Sequence, residues 1–432
     1  MSLVDGGVAT KPFILGLCGA GAYNWAFAPG RALSSALSAP RWRAARCCFF
    51  FISPGFVMRF LIAVLVSLFS LTALAQSVPP PALAANAWVL VDHATGQTLV
   101  AKDADTRIEP ASLTKLMTAY LTFSALKAGT IAADQVVPVS ERAWRMEGSR
   151  MFIEPRKEVT VDELIKGIIV QSGNDACVAI AELIAGSEEA FAALMNREAQ
   201  RLGMRNTHFT NSTGLPDPQL YTTANDLAIL ASAIIREFPE YYSLYSMKEF
   251  TYNNIRQPNR NRLLYMDPTV DGMKTGHTST AGYCLVSTAE RGPRRLISVV
   301  LGAASDTVRA QESLKLLNFG FQFYDTVKLY GADEALSQFR VWKGKANELP
   351  VGFTRDFMMS LPREAAERIQ VTLESRQPLV APIEKGQEVG TLALAIDGRP
   401  LGQYPVVALQ DVPVAGFFGR LWDAIVMLFK RL

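Results

Sequence analysis

The sequence predicts an α/β protein of the α+β kind, with an antiparallel sheet and helical insert, then a small C-terminal β-sandwich and an amphipathic tail helix. Three observations predict this order. β-Prone segments lie at both ends of the region 86–325. The stretch between them has apolar residues at three- and four-residue spacing, which is typical of helices. Short strand-like runs separated by Gly and Pro turns occupy 336–412.

The strands of the first region are predicted at its two ends. Residues 86–102 contain two β-prone runs on either side of a turn that includes Gly96, which predicts a hairpin. Further strands are expected over 283–289 and 296–302. Because short links join antiparallel neighbours, we expect an antiparallel sheet with the helices packed on its faces.

Helices are predicted from 112 to about 240 and again near 308–324. Thr223, followed three residues later by Asp226, resembles a capping box and predicts the start of one helix. The helical stretch is therefore an insert between the strands of one domain.

The residues before this domain have the pattern of a secretory signal peptide over 58–75. After Met58 and the basic Arg59 comes an apolar run of 16 residues that ends at Ala75. A basic head, an apolar middle and a small-x-small end predict export, with cleavage after Ala75. The alternative is a membrane anchor, although 16 residues are few for a span. We expect residues 1–57 to lie upstream of the true start, or to be disordered.

Charge and cysteine content exclude several classes of protein. Residues 1–75 hold six basic and one acidic side chain, so the net charge of +3 for the whole chain becomes −2 for the remainder. This balance gives no reason to expect nucleic-acid binding. Cys177 and Cys284 lie in apolar contexts and are expected to be buried thiols, with a disulfide as the alternative. No spacing resembles a zinc site.

The C-terminal segments have no cluster of functional residues. The β-rich region 336–412 is interpreted as a spacer or docking domain. Residues 413–432 form a predicted helix with a broad aromatic and apolar arc opposite Arg420, Asp423 and two basic residues. This pattern is typical of a helix that lies on a membrane surface. A helix packed on the protein's own core is the alternative.

Ser112 and Lys115 form the first of three short motifs. Side chains three residues apart share a helix face, so the hydroxyl and the amine can meet. A lysine whose pKa is lowered by burial or nearby cations can take the proton of the serine. The motif predicts a nucleophile with its base, although the same spacing also occurs between unrelated surface residues.

Ser172, Gly173 and Asn174 form the second motif and interrupt an apolar helical stretch. Ser172 can relay a proton to a leaving group, and the Asn174 amide can hold a substrate carbonyl or Lys115. Taken alone, the triplet is better explained as an ordinary turn between helices.

Lys274, Thr275 and Gly276 form the third motif, before a strand-like run. Lys274 and Thr275 can bind an anionic substrate end, and Gly276 lets a substrate backbone lie along the strand edge. The backbone amides of Ser112 and His277 are candidates for an oxyanion hole.

The three motifs occur in this order, roughly 60 and 100 residues apart, within longer matching segments: PASLTKLMTAY, VQSGNDACVAIAE, TNSTGLPDPQLYTTANDLA and DGMKTGHTSTAGYCLVSTA. On these residues the chain resembles the low-molecular-weight penicillin-binding proteins, the serine D-Ala-D-Ala carboxypeptidases of peptidase family S11. The resemblance covers nearly all of 86–432. It implies a β-lactamase/transpeptidase-like fold for the D,D-peptidase domain, followed by the β-rich domain and a membrane-surface helix.

The resemblance also implies roles for individual residues. Ser112 would be acylated, Lys115 would be its general base, and Ser172 and Asn174 would complete the catalytic group. The residues expected to bind substrate are Lys274, Thr275, Gly276, His277 and Arg309. Arg309 would bind the terminal carboxylate of the substrate, and a surface position without a role is the alternative.

The implied activity is removal of the terminal D-alanine from peptidoglycan pentapeptides through an acyl-enzyme, with β-lactams acylating the same serine. This implied mechanism needs neither metal nor cofactor. The implied location is the periplasm, at the outer face of the cytoplasmic membrane. A D,D-endopeptidase acting on peptidoglycan cross-links and a non-catalytic penicillin-binding sensor are the alternatives. A class A β-lactamase is disfavoured because Glu198, the nearest candidate for its deacylating glutamate, has the wrong spacing.

Overall fold

The computed structural model describes residues 79–363 and 365–430 of the chain. The predicted signal peptide at 58–75, the residues 1–57 and the last two residues of the predicted tail helix lie outside the described residues.

The strands and helices alternate unevenly along the chain. The strands are β1 (Ala87–Asp92), β2 (Thr98–Lys102), β3 (Glu249–Tyr252), β4 (Ile255–Pro258), β5 (Val270–Thr278), β6 (Gly282–Arg291), β7 (Arg294–Ala303), β8 (Tyr324–Tyr330), β9 (Ala335–Trp342), β10 (Glu348–Gly352), β11 (Phe357–Pro362), β12 (Ile369–Ser375), β13 (Leu379–Val380), β14 (Glu388–Ile396) and β15 (Arg399–Ala408). The α-helices are α1 (Lys115–Lys127), α2 (Glu141–Trp144), α3 (Val161–Lys166), α4 (Asn174–Ala185), α5 (Glu188–Leu202), α6 (Ala224–Glu237), α7 (Pro239–Tyr242), α8 (Leu263–Met266), α9 (Asp306–Phe323) and α10 (Phe417–Lys430). Short 3₁₀ turns span Ala111–Thr114, Ser243–Ser246 and Ala366–Arg368, and a π-helical turn spans Gly167–Gln171.

A five-stranded antiparallel sheet with the order β2-β1-β7-β6-β5 is the centre of the first region. Both of its faces are buried, as the alternation along β1 shows. Val89 and Val91 face a core shared with helices α1, α4 and α6, whereas Trp88 and Leu90 face a second core shared with α9. Helices on both faces of an antiparallel sheet confirm the predicted α+β class.

The predicted hairpin is present, because β1 pairs with β2 across the turn that contains Gly96. Gly96 has a φ of +69°, a left-handed conformation that favours glycine. Thr223 caps α6 by accepting a hydrogen bond from the backbone N–H of Asp226. The reciprocal half of the predicted capping box is wrong, since the Asp226 carboxylate accepts from Asn206 and Thr207 instead.

Strand β5 was not predicted as a strand of its own. The residues Lys274–Gly276 lie within it and not before it, and β5 is the edge strand beside β6. This placement gives one side of β5 a free edge, next to the 3₁₀ turn that contains Ser112.

The C-terminal region forms a separate β structure. A six-stranded sheet has the order β12-β14-β15-β10-β9-β13, and a two-stranded ribbon pairs β8 with β11. Side chains of the ribbon, including Met359 and Leu361, share one core with the sheet residues Val351 and Leu392. Strand β8 pairs with β11, which lies inside the predicted region 336–412. The C-terminal β structure therefore begins earlier than predicted, at β8.

Helix α10 turns its apolar face outward. Phe418 is 84% exposed and Trp422 is 68% exposed. Asp423 is buried and accepts a hydrogen bond from the backbone N–H of Lys343, so the helix contacts the protein through this polar residue and not through its aromatic face. The alternative of an apolar face packed on the protein's own core is therefore wrong. Among the described helices, none is long and apolar enough to cross a membrane.

Candidate active site

The first motif lies at the start of helix α1. Ser112 belongs to the 3₁₀ turn Ala111–Thr114, and α1 begins at Lys115 directly after it. The Nζ atom of Lys115 lies 3.1 Å from the Oγ atom of Ser112. The helical spacing therefore brings the two side chains into hydrogen-bond contact, as the sequence predicts.

Lys115 is 1% exposed and has three fixed neighbours. Besides Ser112, its Nζ donates to Asn174 Oδ1 at 2.7 Å and to the Thr213 carbonyl at 2.5 Å. Burial, together with the positive charge of Arg260, lowers the pKa of Lys115 from 10.5 to about 8. With this pKa, roughly a tenth of the amine is neutral at pH 7, far more than for an ordinary lysine.

The geometry fixes where the lone pair of the neutral amine points. The acceptors at Asn174 and Thr213 are carbonyl oxygens, which cannot donate a proton. The two hydrogens of neutral Lys115 are directed to them, so its lone pair is left for the Ser112 hydroxyl. The site therefore orients a base toward a hydroxyl that can act as a nucleophile.

The second motif lies across the site from Ser112 and contacts both lysines. Ser172 ends the π-helical turn with a φ of +67°, in the left-handed region, and its side chain is buried. The Asn174 amide bridges two parts of the site, because its Nδ2 donates to the Glu147 carbonyl at 2.6 Å while its Oδ1 accepts from Lys115. The predicted contact between Asn174 and Lys115 is present.

The third motif closes the site along the edge strand β5. Lys274 is buried, and its Nζ donates to Ser172 Oγ at 2.9 Å. Its pKa is held well below the usual value by burial, with added repulsion from Lys115. Because a Cβ at position 276 would lie 3.2–3.3 Å from side-chain atoms of Leu113 and Ala111, Gly276 allows β5 to run close to the serine turn.

The remaining predicted residues lie around this strand. Thr275 is buried, whereas His277 is exposed and its ring centroid lies 4.0 Å from that of Tyr283. Arg309, in the first turn of α9, is 7% exposed, so the surface alternative is wrong. Its Nη1 donates to the Gly276 carbonyl at 3.1 Å, and it has no salt bridge within the described residues. Burial lowers the pKa of Arg309.

Three parts of the site were not predicted from the sequence. The Thr213 carbonyl is a backbone group, for which side-chain patterns give no signal. Asp175 accepts from the backbone amides of residues 151–153 and so fixes the loop that contacts Asn174. Arg260 acts on Lys115 and Lys274 through its charge. Only Asp175, next to the second motif, had a position that could have suggested its role.

The two cysteines of the described residues are free and buried, as predicted. Burial raises the pKa of Cys177 to about 12 and that of Cys284 to about 11, which keeps both as thiols. Across the described ranges, no three His, Cys, Asp or Glu side chains converge as a metal site would require.

A hydroxyl beside a buried amine of lowered pKa, with a second lysine and an asparagine around them, defines a serine acyl-transfer enzyme. Comparison with known proteins gives the family. The chain belongs to the D-alanyl-D-alanine carboxypeptidase family, whose model matches residues 74–305. Residues 324–414 match the C-terminal domain of penicillin-binding protein 5, which includes strand β8.

Individual relatives are similar over most of the chain. The D-alanyl-D-alanine carboxypeptidase DacC of Escherichia coli K12 is 45% identical over 84% of this chain and 94% of its own length. The crystal structure of penicillin-binding protein 5 from Haemophilus influenzae is 42% identical, with a TM-score of 0.75, over 78% of this chain and all of that one. Penicillin-binding protein D2 from Listeria monocytogenes in its ampicillin-bound form is 32% identical, with a TM-score of 0.53, over 56% of this chain and 100% of that one.

Proposed function

We propose that this chain is a serine D-Ala-D-Ala carboxypeptidase that removes the terminal D-alanine from peptidoglycan stem peptides through an acyl-enzyme on Ser112. The observation that supports it most is the set of three contacts made by Lys115, which direct the lone pair of a buried amine at the Ser112 hydroxyl. Membership of the D-alanyl-D-alanine carboxypeptidase family agrees with this chemistry.

Acylation uses the neutral form of Lys115. Its lone pair takes the proton of Ser112 while the Oγ atom attacks the carbonyl carbon between the two D-alanines. The C–N bond then breaks, and the nitrogen of the departing D-alanine receives the proton that Lys115 took from Ser112. We assign the relay of this proton to Ser172, whose hydroxyl accepts a hydrogen bond from Lys274 and can therefore direct its own hydrogen to the leaving group.

Deacylation restores the enzyme. A water molecule gives a proton to the neutral Lys115 and attacks the ester carbonyl, the bond to Ser112 Oγ breaks, and the serine recovers its proton. A β-lactam opens its ring on the same serine, and the ring nitrogen stays tethered in place of a departing D-alanine.

The substrate is recognised along the edge strand β5. Its backbone pairs with the free edge of the strand beside Gly276. Its terminal carboxylate lies near Lys274, Thr275 and Arg309, where Arg309 has no anionic partner within hydrogen-bond distance in the described part of the chain. The positive charge of Arg309 favours a peptide that ends in a free carboxylate over one that continues.

Intact-mass spectrometry after incubation with benzylpenicillin tests the nucleophile. We expect the wild-type protein to gain the mass of one penicillin and the peptide containing Ser112 to hold it. The Ser112→Ala variant should gain none, and Ser124→Ala, a serine further along α1, is the matched control and should label normally. Labelling of Ser112→Ala would overturn the assignment.

A second assay tests the reaction. Release of D-alanine from a free pentapeptide is compared with cleavage of a cross-linked dimer. We expect release from the pentapeptide to be faster, because its leaving group is a single D-alanine, whereas the leaving group of the dimer continues into a second stem peptide. Preferential cleavage of the dimer would make the enzyme an endopeptidase, and labelling without turnover of either would make it a sensor.

We further propose that the protein is exported to the periplasm and lies on the outer face of the cytoplasmic membrane through α10. The sequence pattern over 58–75 supports export. The outward apolar face, with Phe418 and Trp422 exposed while Asp423 is held by Lys343, supports binding at a lipid interface.

Co-sedimentation with vesicles of phosphatidylglycerol and phosphatidylcholine tests the membrane contact. The double variant Phe418→Ser and Trp422→Ser should stay in the supernatant while the wild type sediments. Val136→Ser, which changes an exposed apolar residue elsewhere, should sediment as the wild type does. Equal sedimentation of all three proteins would contradict the proposal.

A further inference from the structure

A buried carboxylate that belongs to none of the three motifs lies behind Lys115. Glu188 begins helix α5 and is 5% exposed. Both of its oxygens are occupied: Oε1 accepts from the Ser212 backbone N–H at 3.0 Å and from Ser212 Oγ at 2.7 Å, and Oε2 accepts from Arg142 at 2.7 Å. A buried charge is costly unless it is paired and hydrogen-bonded, and here it is both.

Glu188 holds the Ser212–Gly214 turn, which forms part of the site. The Thr213 carbonyl of this turn accepts one hydrogen from Lys115, and the Ser212 carbonyl accepts from Thr118, one turn further along α1. The turn also packs closely against the residue that precedes the nucleophile. A Cβ at Gly214 would lie 1.8 Å from the Ala111 carbonyl oxygen, directly before Ser112.

Among the described residues of helix α5, Glu188 is the side chain that hydrogen-bonds to this turn. Asn211 accepts from Thr213 and Gly214 and so shapes the turn internally. Thr118 ties the turn to α1, and Glu188 ties it to α5 on the other side. Its neighbour Glu189 also pairs with Arg142, at 2.9 Å, but is exposed to solvent and does not contact the turn.

We propose that Glu188 is a positioning residue for acylation: by fixing the Ser212–Gly214 turn, it places the Thr213 carbonyl that directs the lone pair of Lys115 at Ser112. The inference rests on the proposed function, because it assigns Lys115 as the base. Glu188 does not touch the substrate and acts through Thr213.

Several titratable groups face Lys115. From α4 these are Cys177 and Asp175, from the segment after β4 it is Arg260, and from β5 it is Lys274. The carboxylate of Glu188 favours the protonated form of Lys115, as does the Thr213 carbonyl that accepts from it. Loss of Glu188 therefore moves the pKa of Lys115 to a lower value.

Two variants separate position from charge. Glu188→Ala removes both the turn contact and the charge. We expect the plateau rate of Ser112 acylation by benzylpenicillin at high pH to fall roughly ten- to a hundredfold, because the base loses its alignment. Glu188→Gln keeps an oxygen that accepts from Ser212 but loses the charge, so its plateau should stay within about threefold of wild type.

The pH profile provides a signature that a purely structural role would not give. The acylation rate rises with pH as Lys115 loses its proton, and we call this rise the acid limb. In both variants the midpoint of the acid limb should shift to lower pH, because the negative charge that favours protonated Lys115 is gone. Glu189→Ala is the matched control. It removes the other carboxylate on Arg142, and both its plateau and its limb should equal those of the wild type.

The outcomes are distinct. A lowered plateau in Glu188→Ala that Glu188→Gln restores, with both limbs shifted, supports the proposal. Equal plateaus in Glu188→Ala and Glu189→Ala overturn it, and so do equal losses in Glu188→Ala and Glu188→Gln accompanied by a lower melting temperature.

If Glu188→Ala does not fold, Ser212→Ala replaces it, and a plateau equal to wild type there contradicts the proposal. If wild-type Ser112 is not acylated at all, the proposed function fails instead.

Discussion

The two β-containing regions of the molecule bury very different side chains. In the first region, the buried polar and charged residues include Lys115, Lys274, Arg309, Asp175 and Glu188, all around one site. From residue 324 to 430, the described residues of this kind are only Ser360 and Asp423. The second core is otherwise apolar and contains aliphatic and aromatic side chains.

This difference in buried charge indicates that the first region performs the chemistry and the second does not. Burying charged groups is unfavourable unless hydrogen bonds and partners compensate, so a cluster of them is expected where chemistry needs shifted pKa values. The described residues of the C-terminal region have no such cluster, and their buried side chains are mainly the apolar ones that stabilise a fold. We therefore expect chemistry to depend on the first region and to be insensitive to changes inside the second core.

The largest expected effect comes from Lys115. Lys115→Ala removes the base and leaves Asn174 and Thr213 without their shared donor. The acylation rate should fall by roughly a thousandfold or more, as for the loss of other activating bases. Stopped-flow measurement with a chromogenic β-lactam gives this rate, and Lys127→Ala, at the exposed end of the same helix, should leave it unchanged. An acylation rate within tenfold of wild type would remove Lys115 as the base.

The second prediction concerns the pH dependence of the wild type. Because the lowered pKa of Lys115 is about 8, the protonated, inactive form dominates below that value. The acylation rate should rise about tenfold per pH unit below the midpoint and level off above it. Measurement of the rate from pH 6 to pH 10 gives the midpoint. A midpoint near 10.5, the ordinary lysine value, would show that the burial of Lys115 does not matter for the chemistry.

The contacts of this site could be predicted from the sequence only where the two residues are close together along the chain. The contact between Ser112 and Lys115 is set by a single helical turn, so local spacing predicts it. The meeting of Lys274 with Ser172 joins residues 102 positions apart. It was expected only through resemblance to a known family, since no local pattern brings an edge strand to a helical turn.

The parts that were missed share a physical reason. Glu188 stands at a helix start, where acidic residues are common because of the helix dipole, so its contact with the Ser212–Gly214 turn has no distinct signal. Strand β5 contains Gly272 and Gly276 and lacks regular apolar alternation, which hides it from a strand search. The tail helix was predicted from its period, but the direction of its apolar face depends on one buried contact of Asp423.

The smallest expected effect on chemistry comes from a cavity in the second core, and it tests the separation most directly. Leu392, buried in β14, packs in the C-terminal core, and Leu392→Ala should lower the free energy of unfolding by about 2–5 kcal/mol. Leu401→Ala, at an exposed position in β15, should change it by less than about 1 kcal/mol. Both variants should acylate at the wild-type rate when assayed well below their melting temperature. Hydrogen bonds do join the regions, such as Thr95 to Ser360 and Thr326 to Asp92. A lower acylation rate in Leu392→Ala but not in Leu401→Ala would therefore mean that the second core supports the site through these contacts.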